Sequence, residues 1–251
     1  MSDYLEVVTA GLVVSMVVAA LIMVLGPAAP YGRYHSEKAL GLKWGPKINA
    51  KVAWIIQESP SLVVPLLNMP SASVNRILLS LFVLHYANRV VVYPLRIRGG
   101  KPTPLGVALS AFLFCFTNGW MQATYFNTAT YPNDWLQRPT FLVGLFVFCA
   151  GATINVSSDS TLRSLRQRND SSYAVPRGGL FDYVSCANYF GEILEWLGFA
   201  IAAGFAYTAI AFLLCTCCAL VPRAITHHRW YRDKFKEAYP QSRKAIFPFL
   251  L

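Results

Sequence analysis

A chain of 251 residues that is 55% hydrophobic and only 14% charged, with a mean hydropathy of +0.41 and a net charge of +10, is not an ordinary soluble domain, in which charged residues make up about 25%. The length fits one compact unit and leaves little room for a second domain. No GxGxxG after a strand, P-loop, GxSxG or HExxH is present, which removes the common soluble-enzyme classes.

The hydrophobic runs predict seven membrane spans, at about 7–29, 52–68, 76–95, 103–125, 139–158, 180–197 and 200–221. No charge falls between Val7 and Gly32, Pro102 and Asn133, Pro139 and Ser158, or Trp196 and Pro222. No cleavage pattern follows the first run, so it reads as a retained span. Pro60 and Pro65 predict a kinked or broken second span. The last two spans share a short stretch and are expected to turn near Gly198.

Of the 22 Lys and Arg, all but Arg76, Arg89 and Arg138 fall in the segments after odd-numbered spans or in the C-terminal tail. The positive-inside rule then places the N-terminus outside and the C-terminus in the cytoplasm. The excess positive charge has two readings of equal weight: anionic lipid at that face, or a polyanion received at the cytoplasmic mouth. No nucleic-acid recognition module is present. The six Cys all lie in apolar segments without ligand spacing, so neither a metal site nor a disulfide framework is expected.

Ionisable residues inside the spans carry the functional signal, because a charge at bilayer depth costs at least ~2.5 kcal/mol and normally lines a cavity with a partner. They are Glu58, His85, Arg89, Glu192 and Glu195. Residues three or four apart share a helix face, and several polar sets obey that spacing: His85 with Arg89; Asn155, Asp159, Arg163 and Arg166; Asn188, Glu192 and Glu195; Arg223, His227 and Tyr231. Bland readings stand beside them: a solvated pair for Asp159 and Arg163, a headgroup stripe for Arg223 to Arg232, a belt tyrosine for Tyr86, a packing ion pair for Glu58 and Arg89. The functional reading is a polar site in a helical bundle, with Tyr86 donating to a carbonyl and Glu58 orienting it.

The segments AWIIQESPSLVVP, LHYANRVVVYPLRIRGGKPTP, FCFTNGWMQ, INVSSDSTLRSLR, YAVPRGGLFDYVSCANYFGEILEW and HHRWYRDKFKEAYPQSRKAIFPFLL together resemble the steroid 5α-reductases. The resemblance implies an all-α integral membrane protein, a seven-transmembrane-helix bundle that uses NADPH to reduce the 4,5 double bond of 3-oxo-4-ene steroids such as testosterone and progesterone. It implies one membrane-embedded domain over 1–251, with an apolar steroid pocket from about 1–125 and the NADPH site mainly from about 150–251. By resemblance Tyr86 bonds the C3 carbonyl and Glu58 supports it. Asn155, Asp159, Arg166, Tyr173, Asn188, Arg223, His227 and Tyr231 hold NADPH, joined by Arg89, Tyr31 and Lys101. Glu192 lies near the nicotinamide, and Trp54 and Phe114 wall the steroid pocket. Gln167 to Asp170, Ala174 and Ser157 depart from the family pattern, and Arg168 or Arg177 would have to make up one phosphate contact. The expected setting is the endoplasmic reticulum of a eukaryote or the cytoplasmic membrane of a bacterium, as a monomer with a hydrophobic steroid and the lipid bilayer as partners. Competing readings are a sister reductase acting on a polyprenol or long-chain enoyl thioester, a membrane methyltransferase, and a proton-coupled transporter.

Overall fold

The described residues are mostly helical, and the architecture follows from where apolar runs meet prolines and small residues. The computed structural model describes residues 2–26, 38–39, 42–97, 100–168 and 173–251. Helices run α1 Ser2–Leu25, α2 Ala50–Leu67, α3 Ser73–Ala87, a π-helical segment Asn88–Val92, α4 Tyr93–Arg96, α5 Leu105–Thr128, α6 Pro139–Arg168, α7 Ala187–Ala202 and α8 Tyr207–Phe235. Two antiparallel two-residue strand pairs are the sheet among the described residues; one joins Lys47–Ile48 to Thr103–Pro104 and ties the approach to α2 to the approach to α5.

Five helical stretches are long and apolar enough to cross a membrane among the described residues: Asp3–Leu25, Ser73–Arg96, Leu105–Thr128, Pro139–Leu165 and Tyr207–Ala238. α2 and α7 are helices as expected but fall short of that measure, α7 having only 16 residues. α1 packs on α8 and α5 and leaves Val14, Leu21 and Val24 more than half exposed. That is the surface expected of a helix facing lipid.

The prolines do not break α2. Pro60 cannot donate to the Ile56 carbonyl, and the Ser59 hydroxyl donates to it instead at 3.0 Å. At the front of α2, Asn49 Oδ1 accepts from Lys51 N at 2.9 Å, a standard N-cap. α3 and α5 are locked together by Asn75, whose side-chain amide donates to the carbonyls of Phe126 and Ala129 at 2.7 and 2.8 Å, near the C-terminal end of α5.

The tightest packing joins α6 to α7. A Cβ on Gly144 or Gly198 would collide with the backbone of Ala202 or Phe148, and one on Gly151 or Gly191 with the backbone of Glu195 or Asn155. Each helix thus offers a pair of glycines seven residues apart, and the two backbones touch. This corrects the expected turn near Gly198, which lies inside α7 and belongs to the seam. The reversal falls at Ala203–Ala206 instead. Gly204 there takes a φ of +67°, with the Trp135 ring in the space a side chain would need. The sixth helix also starts later than expected. Gly179–Asp182 is a short 3₁₀ turn, and Ser185 and Cys186 donate backbone N–H groups to Lys244 and Ala245 of the C-terminal tail at 2.9 and 3.1 Å.

The core centres on Phe82, Leu78 and Leu79 of α3, Phe126 of α5, Trp196 and Phe199 of α7 and Phe212 of α8, all buried.

Candidate active site

Beside this core, four helices bring polar side chains into one connected chain. The π-helical segment sets Arg89 one turn beyond Tyr86, with its guanidinium 4.7 Å from the centre of the Trp54 ring and 4.6 Å from that of Tyr93. Trp54 is held in turn, its Nε1 donating to the Arg89 carbonyl at 3.1 Å. Extra turns of this kind within a helix often occur at functional sites. Arg89 Nη1 reaches Asp159 Oδ2 of α6 at 3.5 Å. Asp159 Oδ1 accepts from Asn188 Nδ2 of α7 at 3.0 Å. Asn155, one turn before Asp159, donates to the Asn188 carbonyl at 3.0 Å and to Glu192 Oε2 at 3.4 Å. The glycine seam makes these links possible, because amides on α6 and α7 meet only if the backbones approach closely. Two sets that the sequence presents separately thereby form one network, and Asp159 is not the solvated partner of Arg163: it is buried at 6% exposure.

Tyr86 lies next to this network, buried at 4% exposure. Rings surround it: Phe82 at 4.7 Å, His85 at 5.2 Å, Trp196 at 6.1 Å and Phe212 at 6.5 Å. Phe114 extends the wall, 6.4 Å from Phe212. This environment excludes the reading of Tyr86 as a belt tyrosine. Ser61, Cys115 and Glu58 lie within interaction range of the phenol, and Ser61 Oγ donates to the Cys115 carbonyl at 3.0 Å. Glu58 is half-buried and has Arg89, Glu192 and His85 in its electrostatic surroundings. The phenol therefore has an apolar enclosure on several sides and a charged, hydrogen-bonding region on another.

The α8 set arrives from a further direction. His227 Nε2 lies 3.4 Å from the Tyr189 hydroxyl of α7. Tyr231 is buried and stacks on Tyr239 at 5.6 Å. Tyr173 packs on Trp230 at 4.9 Å, with the Lys234 ammonium 4.9 Å from both rings. Arg223 is largely enclosed on α8. Lys101 is exposed beside the short strand pair. Tyr31 and the side chain of Arg166 lie outside the described residues. No cluster of three or more His, Cys, Asp or Glu able to hold a metal occurs among the described residues.

Several contributors escape the sequence reading. Phe82, Trp196 and Phe212 enclose Tyr86, yet nothing in an apolar run separates a wall residue from any other core residue. His85 and Glu195 stand out as charges at membrane depth, but their pairing, Nδ1 to Oε1 at 2.9 Å across 110 residues of sequence, has no local signal.

Known proteins resemble this chain in sequence. A family model described as 3-oxo-5-alpha-steroid 4-dehydrogenase matches residues 101–251. The chain is 46% identical over 229 residues to 3-oxo-5-alpha-steroid 4-dehydrogenase 1 of Mus musculus, covering 88% of this chain and 87% of that protein. It is 46% identical over 212 residues to the protein of the same name from Homo sapiens, covering 81% of each. It is 39% identical over 237 residues to a steroid 5-alpha-reductase of Arabidopsis thaliana, covering 88% of this chain and 87% of that protein.

Proposed function

Because the chain belongs to the 3-oxo-5-alpha-steroid 4-dehydrogenase family, we propose that it reduces the 4,5 double bond of 3-oxo-4-ene steroids such as testosterone and progesterone to the 5α-dihydro products, with NADPH as reductant. The observation that carries this reading is the buried Tyr86 phenol, enclosed by rings and set beside the network of Arg89, Asp159, Asn188, Asn155 and Glu192.

The donor set suits a nicotinamide dinucleotide. Asn155, Asp159, Asn188 and Glu192 offer the mixed acceptors and donors that a carboxamide and ribose hydroxyls require, whereas Arg223 and His227 supply cationic and N–H groups suited to phosphate. Arg89, Tyr173, Tyr231, Arg166, Tyr31 and Lys101 complete the proposed cofactor set. NADPH, when bound, supplies the hydride delivered to C5.

This chain's own part is placement and electrostatics. Tyr86 donates its phenolic hydrogen to the steroid C3 oxygen, and Glu58 supports that orientation. As hydride adds at the β-carbon, negative charge gathers on the C3 oxygen. A donor fixed in a water-poor enclosure stabilises that charge more than it stabilises the neutral ketone. C4 then takes up a proton. Trp54, Phe114 and the rings around Tyr86 hold the steroid and exclude water. The steroid pocket is assigned to about 1–125 and the cofactor site mainly to about 150–251. α2 and α7 count as the second and sixth of seven bundle helices, with the N-terminus outside and the C-terminus cytoplasmic, in the endoplasmic reticulum of a eukaryote or the cytoplasmic membrane of a bacterium. The chain acts as a monomer.

The test is a substrate panel on purified protein: testosterone, progesterone, a polyprenol and a long-chain enoyl thioester, each with NADPH and with NADH. Steroid-dependent NADPH oxidation giving the 5α product is expected. Oxidation driven only by the polyprenol or the thioester would transfer the chain to a sister activity, and solute transport without NADPH oxidation would refute the enzyme reading.

A further inference from the structure

The buried pair of His85 and Glu195 has no role in the reaction as described. His85 Nδ1 lies 2.9 Å from Glu195 Oε1, with side-chain exposures of 4% and 3%. If packing were its only purpose, two apolar side chains of similar shape would serve as well or better, because burying charged or polar groups is costly.

The pair joins α3 to α7 immediately beside Tyr86. The His85 ring lies 4.5 Å from Trp196 and meets Tyr86 edge-on, at 5.2 Å and 75°. Phe82 and Phe212 hold Tyr86 by shape alone. Trp196 Nε1 is buried without a hydrogen-bond partner among the described residues, so no directional bond orients that ring. His85 differs from all three, because its orientation is fixed by a hydrogen bond to a carboxylate on another helix. That same helix carries Asn188 and Glu192 of the polar network.

We propose that His85 and Glu195 are a positioning pair: Glu195 fixes the imidazole, and the imidazole fixes the Tyr86 ring so that its hydroxyl meets the C3 oxygen of the steroid. The inference rests on the reading of Tyr86 as carbonyl donor. An anchored acceptor on one ring nitrogen sets both its tautomer and its plane.

The test measures binding, in saturating NADP⁺, which has no hydride to give. Affinities are compared for a 3-oxo-4-ene steroid and for the same ring system lacking the C3 oxygen. The native protein is expected to prefer the 3-oxo ligand by about fivefold or more, the scale of one hydrogen bond. In His85→Phe and Glu195→Leu that preference falls to about one while the 3-deoxy ligand keeps its affinity within about twofold. Glu195→Gln retains an acceptor for the imidazole N–H and preserves the preference. Tyr86→Phe abolishes it, and adding His85→Phe to Tyr86→Phe changes nothing further. Should His85→Phe or Glu195→Leu fail to fold, Glu195→Gln against Glu195→Met carries the same comparison. Variants that keep the preference, or lose both ligands equally, reduce the pair to packing and overturn the proposal. A native protein with no preference for the 3-oxo ligand, or a Tyr86→Phe variant that retains one, overturns the Tyr86 reading and this inference with it.

Discussion

Replacing Tyr86 with Phe separates catalysis from folding more cleanly than any other change at this site. The ring stays where it is, since Phe82, His85, Trp196 and Phe212 pack around it. No cavity of side-chain size opens. Ser61, near the phenol, keeps the Cys115 carbonyl as its acceptor at 3.0 Å, so it is not stranded. The stability change should therefore remain within about 1 kcal/mol, the net value of one hydrogen bond. Chemistry should suffer far more. Losing one preorganised donor to a developing oxyanion typically costs about 10²–10³ in rate, or about 2.7–4 kcal/mol of barrier. The assay is disappearance of NADPH with testosterone or progesterone in excess, alongside thermal melting of the detergent-purified protein. A kcat reduced by about two orders of magnitude, with an unchanged KM for NADPH and a near-native melting point, is expected. Turnover within about threefold of native would refute the assignment of the carbonyl donor.

Arg89→Lys keeps the charge but loses the flat group that packs over both Trp54 and Tyr93, so we predict a KM for NADPH raised about tenfold or more with a smaller effect on kcat; equal kinetics would remove Arg89 from the cofactor set. Gly198→Ala forces a methyl group against the Phe148 backbone and should destabilise the fold by about 1–3 kcal/mol, read as a lowered melting point; an unchanged melting point would mean the seam is looser than described. Asn75→Leu strips two donors from the carbonyls of Phe126 and Ala129 and should cost about 1–3 kcal/mol. Because Asn75 does not contact Tyr86 or the polar network, activity per folded molecule should hold, and a selective loss of kcat would contradict that separation.

The helices were legible wherever a long apolar run met no competing signal, as from Leu105 to Thr128. The half-ladders were legible too, because Asn155 with Asp159, and Asn188 with Glu192, obey helical spacing. Their union was not, since it depends on how closely two helices approach, and that is decided by four glycines whose register across the seam only coordinates reveal. The sixth helix starts seven residues later than expected because LFDYVSC reads as the opening of an apolar run, although the tail's hydrogen bonds hold it in a non-helical path. The π-helical segment likewise left no mark on NRVVV that composition could show, yet it sets where Arg89 meets Asp159. Tyr86 was nameable from its motif; the rings that enclose it were not, because a Phe at a wall and a Phe in the core look the same in one dimension.

Backbone-to-backbone packing of α6 on α7 has a mechanical corollary. Two rods meshed so closely cannot slide past one another without lifting apart, so Asn155, Asp159, Asn188 and Glu192 travel as a single rigid plate. Admission and departure of a bulky dinucleotide must then be accommodated by displacement of the partners of that plate, α3 with its π-helical extension or the far half of α8. Spin labels placed across α6 and α7 should report one narrow distance with and without NADP⁺, whereas labels spanning α6 and α3, or α6 and α8, should broaden or shift in at least one pair; a ligand-dependent change across α6 and α7 would disprove the plate.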